Sequence, residues 1–426
     1  MTETIYPRIG ETVLREDLPN GLRVCVVKKP DYQRRYAFFA TRYGGMDIRF
    51  VSGGTAHDTP AGIAHYLEHK MFDTPDGSAL QVLAKNGAEP NAFTSNAMTA
   101  YHFACTDHFE ENLRLLLSFV SVPYFTPESV EKERGIIAQE ILMTEDSPDW
   151  RIYSDLLGCL YRSNPVRCPV AGTVESIRDI TPELLYACHA AFYVPRNMML
   201  CVVGDVDAQA VLEIAREILP AEGGADVPRD YGEPEEPVPF QKESCRTMEV
   251  ASTQFLAGFK CDGGTTGEAL LREQLIGSLA YDVLLGGSSP LYTRLYDAGL
   301  INGSFGGSYD QFPGAAYFCA GGESRDPAAV MRAITDEAAR LAREGVAQDD
   351  FDRLLRANFG ASLRALGSFE NIAVDLTEGY FRSYDPFRFP EVYASIGKAD
   401  VERFLRENVT EERRAAAILT PKEETV

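Results

Sequence analysis

The residues with the clearest chemical potential are two histidines and one glutamate within five positions. His65, Glu68 and His69 belong to the run His-Tyr-Leu-Glu-His. On an α-helix, positions i and i+4 share a face and position i+3 lies beside them. Two imidazoles on one face can hold Zn²⁺, and a carboxylate next to them can serve as the base for a hydrolysis. The spacing therefore predicts part of a catalytic zinc site, which still needs a third protein ligand.

The third ligand has to come from elsewhere in the chain. The other histidines are His57, His102, His108 and His189. Carboxylates are the richer source, because a predicted helix over 128–142 carries Glu133 and Glu140 two turns apart on one face. Its opposite face is expected to be apolar and to contain Ile136, Ile137 and Ile141. Such a helix could offer one acid to the metal and a second acid that holds a ligand in place from behind.

The histidine motif itself is predicted to lie on a helix that starts near Pro60. Ile63, Leu67 and Met71 recur at i, i+4 and i+8, which indicates an apolar stripe separate from the polar face. The stretches 90–95 and 99–105 that follow are typical of two strands. A helical metal motif next to a strand pair is therefore expected.

The order of elements predicts two similar domains of the α+β class. Residues 223–240 are dominated by proline, glycine and acidic residues and show no periodicity, as in a linker. Before them we expect a catalytic domain over 1–222, and after them a second domain over 241–426 without the histidine motif. Strands and helices alternate similarly in both halves, and neighbouring hairpins favour mainly antiparallel sheets flanked by helices.

Composition narrows the class of protein. The net charge is −22, from 63 acidic and 41 basic residues, which argues against nucleic acid and against an anionic membrane surface as partners. No apolar stretch of about 18 residues is present, and no signal peptide is visible at the N-terminus. The nine cysteines are scattered and form no CxxC pair. We therefore expect free thiols and a cytoplasmic location.

These motifs together resemble the M16 family of zinc metallopeptidases, which includes pitrilysin, insulin-degrading enzyme and the mitochondrial processing peptidase. The inverted motif His-x-x-Glu-His is followed roughly 70 residues later by the helix with two glutamates. Further stretches match family habits, at 60–65, 91–95, 171–177, 193–198 and 203–206. The resemblance is specific over the first half and loose over the second, and it is greatest to short, two-domain bacterial members.

The resemblance assigns roles to particular residues. It implies that His65, His69 and Glu140 bind one Zn²⁺ per chain. From the residues alone, Glu133, Glu145 and Asp146 stay open as alternatives to Glu140. The resemblance implies that Glu68 is the catalytic base, which takes a proton from water and returns it to the leaving amine. Glu133 would hold a zinc ligand from behind. Asn91, Ala92 and Phe93 would form a strand edge that pairs with the peptide substrate.

The chain departs from the family pattern in its second half. Family members carry an arginine and a tyrosine that hold the substrate, and these positions fall on Leu295 and Asn302 here. Arg294 and Tyr296 lie nearby but are expected to point elsewhere. The resemblance therefore implies a metalloendopeptidase that cleaves short or unfolded peptides in an enclosed chamber, together with a homologous partner subunit or as a homodimer. The alternatives are a peptidase dedicated to maturing or modifying one peptide, and a non-proteolytic scaffold subunit.

Overall fold

The computed structural model describes residues 1–422. Its strands are β1 (Thr2–Tyr6), β2 (Glu11–Asp17), β3 (Arg23–Lys28), β4 (Arg35–Thr41), β5 (Arg49–Ser52), β6 (Thr55–Asp58), β7 (Asp73–Thr74), β8 (Gly77–Ser78), β9 (Glu89–Thr94), β10 (Thr99–Cys105), β11 (Met198–Gly204), β12 (Glu243–Met248), β13 (Gln254–Cys261), β14 (Gly306–Phe312), β15 (Ala315–Glu323) and β16 (Arg414–Pro421).

The α-helices are α1 (Ile63–Met71), α2 (Ala79–Lys85), α3 (Phe109–Ser121), α4 (Pro127–Glu145), α5 (Pro148–Leu160), α6 (Pro182–Phe192), α7 (Ala208–Ile218), α8 (Glu268–Leu285), α9 (Pro290–Asp297), α10 (Pro327–Glu344), α11 (Gln348–Ala365), α12 (Phe369–Phe381), α13 (Phe389–Ser395) and α14 (Lys398–Asn408). Short 3₁₀ turns cover Pro165–Arg167, Ser176–Asp179, Pro195–Asn197 and Pro386–Arg388. Within the described residues, no helix is both long enough and apolar enough to span a bilayer.

The chain forms two compact units that are interleaved in sequence. Unit 1 contains Met1–Leu142, Cys168–Tyr231 and Leu363–Phe387. Unit 2 contains Met143–Arg167, Gly232–Ser362 and the described residues from Arg388 onward. Helix α5 thus packs on the sheet of unit 2, and α12 packs on the sheet of unit 1. The linear division into 1–222, a linker and 241–426 stays a prediction. The compact units differ from it because each sheet takes a covering helix from the far side of the linker.

The sheet of unit 1 has the order β1-β2-β3-β11-β4-β10-β9, and only β3 and β11 pair in parallel. Alternate residues of the central strands, such as Val24, Phe39 and Leu200, face a core built with helices that include α1, α3, α6 and α7. Strand β11 is buried along its whole length, as expected for a continuous apolar run in the middle of a sheet. Strand β9 lies at the edge of this sheet.

The sheet of unit 2 has the order β12-β16-β13-β15-β14, and only β12 and β16 pair in parallel. Helix α5 packs against β12, β13 and β16, while α8 packs against β14 and β15. Both sheets are therefore mainly antiparallel and flanked by helices, which confirms the predicted α+β class.

The predicted linker is anchored at two points. In unit 1, the buried carboxylate of Asp47 pairs with Arg229 Nε at 3.0 Å and accepts a hydrogen bond from the Tyr231 hydroxyl at 2.9 Å. In unit 2, Glu235 pairs with the buried Lys260 ammonium at 3.0 Å and accepts hydrogen bonds from three successive backbone amides, 162–164. The proline- and acid-rich composition therefore does not mean that this stretch lacks contacts.

Candidate metal centre

Helix α1 is oriented by its apolar stripe and by a close backbone contact at its start. Ile63, Leu67 and Met71 are buried in the core of unit 1, as their spacing predicts. Gly62 precedes the helix with φ of 95°, and a Cβ there would lie only 2.5 Å from the carbonyl oxygen of Ala171. Glycine is required where the backbone adopts this conformation and packs so closely. These contacts determine which way the two histidines of α1 point.

Helix α4 supplies the two acids that face α1. Its buried side chains are Val130, Ile137 and Ile141. The prediction that Ile136 belongs to this apolar face is wrong, because its side chain is 50 % exposed. Residue 136 is about 100° around the helix from residue 137, outside the narrow stripe that α4 buries. Glu133 and Glu140 both lie close to the α1 histidines.

His65, His69 and Glu140 come together as a set of metal donors. His65 Nε2 lies 3.5 Å from Glu140 Oε1, and His69 Nε2 lies 3.6 Å from Glu140 Oε2. One donor atom from each residue lies within 4.8 Å of the other two. Ligands held at about 2.0–2.1 Å by a tetrahedral ion are about 3.4 Å apart. Two imidazoles and a carboxylate are also a ligand set of catalytic zinc sites, so these residues fit Zn²⁺.

Glu133 holds His69 from behind. Its Oε1 lies 2.9 Å from His69 Nδ1, and this hydrogen bond keeps the pKa of Glu133 below its usual value. An ionised carboxylate can only accept, so Nδ1 of His69 carries the hydrogen and Nε2 has its lone pair free on the side of Glu140. The hydrogen bond to His69 is the contact that the predicted role of Glu133 requires, and the role itself stays a prediction.

The charges around His65, His69 and Glu140 favour a bound cation. Burial lowers the pKa of His69, but the hydrogen bond to Glu133 and the charges of Glu68, Glu133 and Glu140 outweigh it, so that the pKa is raised. The hydrogen bond with His65 keeps the pKa of Glu140 below its usual value despite partial burial. Several acids around two imidazoles therefore create a site in which a cation is stabilised. Nδ1 of His65 is buried and has no hydrogen-bond partner among residues 1–422.

Glu68 lies on the side of α1 that faces strand β9, with 8 % of its surface exposed. Burial raises its pKa, although a hydrogen bond from Thr94 and the two imidazoles act in the opposite direction. Thr94 donates this bond through Oγ1 to Glu68 Oε2 at 2.7 Å. We did not predict a role for Thr94. The signal was the alternation along β9, which puts Thr94 on the same face as Ala92, but only the packing of β9 on α1 shows what that face meets.

The predicted substrate edge forms the outer strand of the sheet of unit 1. Asn91, Ala92 and Phe93 lie on β9, which pairs with β10 on one side only. Asn91 is exposed, and Ala92 packs against the core. The ring of Phe93 lies 6.2 Å from that of His102. The position of this strand agrees with a peptide-binding edge, and the binding itself stays a prediction.

The other predicted positions have contacts of their own. Each of the other four histidines has a contact outside the metal site. His57 stacks on Phe50, His102 lies among aromatic rings, His108 pairs with Glu111, and His189 binds the Val120 carbonyl.

In unit 2, Leu295 is buried and Asn302 donates to Glu323 at 2.7 Å. Arg294 pairs with Glu337, and Tyr296 stacks on Tyr292. In the part of the chain that the structure describes, the only group of three or more histidine, cysteine or acidic residues placed to hold a metal is the one on α1 and α4.

Comparisons with known proteins place this geometry in a family. Residues 49–174 match the model described as "Insulinase (Peptidase family M16)", and residues 179–358 match that described as "Peptidase M16 inactive domain". A Bacillus subtilis (strain 168) protein named "Uncharacterized zinc protease YmfH" is 37 % identical over 422 residues, or 98 % of each chain.

Solved structures agree with this assignment. An M16-like peptidase from Alicyclobacillus acidocaldarius is 32 % identical and superimposes with a TM-score of 0.93, covering 97 % of this chain and 99 % of the other. A chain of Complex III2 from Candida albicans shares the fold with a TM-score of 0.77 at 14 % identity, covering 96 % of this chain and 95 % of its own. The family models, the relative that matches along its whole length and the shared fold lead to one conclusion: this chain is a member of the M16 peptidase family.

Proposed function

We propose that this chain is a zinc-dependent metalloendopeptidase with His65, His69 and Glu140 as metal ligands and Glu68 as base. The observation that carries the proposal is the convergence of two imidazoles and a carboxylate beside a buried glutamate. When bound, one zinc ion per chain would activate water and polarise the scissile carbonyl. Relatives that match this chain are named zinc proteases, which supports the same chemistry.

Several residues of the chain have distinct roles in the proposed reaction. Glu68 takes a proton from water and delivers it to the leaving amine, with Thr94 holding one of its oxygens in place. Glu133 fixes the ring of His69. The exposed edge of β9, at Asn91, Ala92 and Phe93, binds the peptide backbone as an added strand, which requires an extended and therefore short or unfolded substrate.

A homologous partner subunit is part of the proposal, with a homodimer as the simpler form. In the family, an arginine and a tyrosine of the second half hold the substrate. Here those positions are the buried, apolar Leu295 and Asn302, whose side chain is engaged with Glu323. The missing groups, and the enclosure of the substrate in a chamber, would come from a partner of similar fold. We expect the protein in the cytoplasm, because its nine cysteines are scattered and form no CxxC pair.

The test is a measurement of zinc content and of cleavage of an unstructured peptide library. Both are determined for the wild type and for Glu68→Gln, with and without any subunit that copurifies. Glu68→Gln should keep zinc and lose cleavage, since glutamine cannot accept the proton. Cleavage that persists in Glu68→Gln would refute the mechanism, and a wild type that binds no zinc would favour the scaffold alternative. The Complex III2 chain shows that the fold also occurs in assemblies of another kind. Cleavage of one peptide only would favour the dedicated maturation or modification role.

A further inference from the structure

Strand β9 directs one row of backbone groups away from the sheet. The hairpin between β9 and β10 closes with a hydrogen bond from the Ser95 amide to the Met98 carbonyl at 2.7 Å. Hydrogen-bonded and non-hydrogen-bonded pairs alternate along an antiparallel ladder. The backbone groups of residues 91 and 93 therefore bond to β10. The carbonyls of Pro90, Ala92 and Thr94 and the amides of Ala92 and Thr94 point away from β10.

A second contact supports this register. The Ala92 amide donates to Oδ1 of Asn91 at 2.9 Å, a bond that lies outside the β9–β10 ladder. At the other end of the row, the Thr94 hydroxyl contacts Glu68. The outward row thus starts beside the proposed base and runs along β9 to Pro90, a distance of about 14 Å at 3.4 Å per residue.

The backbone hydrogen-bonding groups of this row change at Pro90. A proline has no amide hydrogen, so position 90 offers a carbonyl acceptor and no donor. Ala92 and Thr94 each carry both groups, and a peptide carbonyl would replace the Asn91 side chain as the acceptor for the Ala92 amide. A peptide added to this edge can therefore be held by complete backbone pairing near Glu68, and this pairing becomes incomplete at Pro90.

We propose that Pro90 limits how far the substrate strand extends along this edge, so that the enzyme reads only a few extended residues on one side of the scissile bond. The inference rests on the proposed function and adds a length preference to it. A peptide would gain affinity from each residue that reaches Ala92, and little from residues that reach further. An edge of this limited length would accept substrates whose sequences differ away from the scissile bond.

The test uses the zinc-loaded protein, together with any subunit that copurifies. Two series of peptides contain the same scissile bond. One series is lengthened residue by residue on the N-terminal side of that bond, and the other on its C-terminal side. For each peptide, kcat/KM is measured with the wild type, with Pro90→Ala and Pro90→Val, and with Pro327→Ala as a proline-to-alanine control at the start of α10. Thermal melting checks that each variant is folded.

In the wild type, kcat/KM should stop rising in one series after a few residues. In Pro90→Ala, the ratio of kcat/KM between long and short peptides should increase about five-fold in that series alone, the value of one added backbone hydrogen bond. The control should keep the wild-type ratio. A wild type in which neither series reaches a plateau overturns the proposal, as does an equal ratio in the wild type and a folded Pro90 variant. Both results leave zinc-dependent cleavage intact, so they differ from a failure of the proposed function, in which the wild type cleaves no peptide.

Discussion

Removing the carboxylate behind His69 should weaken zinc binding without unfolding the protein. Glu133 Oε1 lies 2.9 Å from His69 Nδ1, and its side chain is 18 % exposed. A carboxylate in this position orients the ring and raises its basicity. Glu133→Ala removes both effects, whereas Glu133→Gln keeps a neutral acceptor that can still orient the ring.

The expected loss of zinc affinity follows from the contact between Glu133 and His69. Removing an outer carboxylate of this kind lowers metal affinity about 10- to 100-fold, or about 1.4–2.7 kcal/mol in the free energy of zinc binding. We expect Glu133→Ala near the upper value and Glu133→Gln near the lower value. Glu140→Ala should lose more than either, because it removes a proposed ligand. Glu128→Gln is the control, since Glu128 is exposed on the same helix.

The assay is competition for zinc with a chromophoric chelator, accompanied by circular dichroism to confirm folding. If Glu133→Ala binds zinc as tightly as the wild type, the hydrogen bond to His69 has no influence on the metal, and the assignment of Glu133 is refuted. If Glu133→Ala loses zinc more completely than Glu140→Ala, the two acids have the opposite roles.

Two further predictions concern stability. His189 is buried with Nε2 on the Val120 carbonyl, and burial lowers its pKa from 6.5 to about 4. The neutral ring therefore stabilises the fold fully above pH 6.5, and this contribution is lost as the pH falls towards 4. Urea unfolding should show His189→Gln to lose about 2–3 kcal/mol less than the wild type between pH 7.5 and 4.5, and equal losses would contradict this. Gly62→Ala should cost about 2 kcal/mol or more and reduce zinc content, because it adds a clash with Ala171 to an unfavourable φ. Gly53→Ala, at φ of 57° in open space, should cost only about 1 kcal/mol, and an equal loss in both variants would show that the clash is unimportant.

The sequence predicted elements well where periodicity is strong. The strand predicted over 99–105 has those bounds in the structure, and the stripe of Ile63, Leu67 and Met71 is buried as expected. Ile136 was predicted on the buried face of α4 and is exposed. Apolar residues that are adjacent in sequence lie about 100° apart on a helix, so the width of the buried stripe depends on what packs against it.

The exchange of α5 and α12 between the units could not be predicted from local patterns. Both helices have an ordinary amphipathic sequence, which indicates that one face is buried but does not identify the surface that covers it. Which sheet each helix covers depends on contacts between residues far apart in the chain.

The sequence by itself determined that His65, Glu68 and His69 share one side of a helix, because the helical period is a property of the local backbone. It also placed Glu133 and Glu140 on one face of a second helix for the same reason. Only the tertiary structure decided that Glu140 approaches both imidazoles while Glu133 lies behind one. It also decided that β9 is an edge strand with Thr94 against Glu68. These relations depend on how α1, α4 and β9 pack together, and packing is settled by long-range contacts that no local spacing contains.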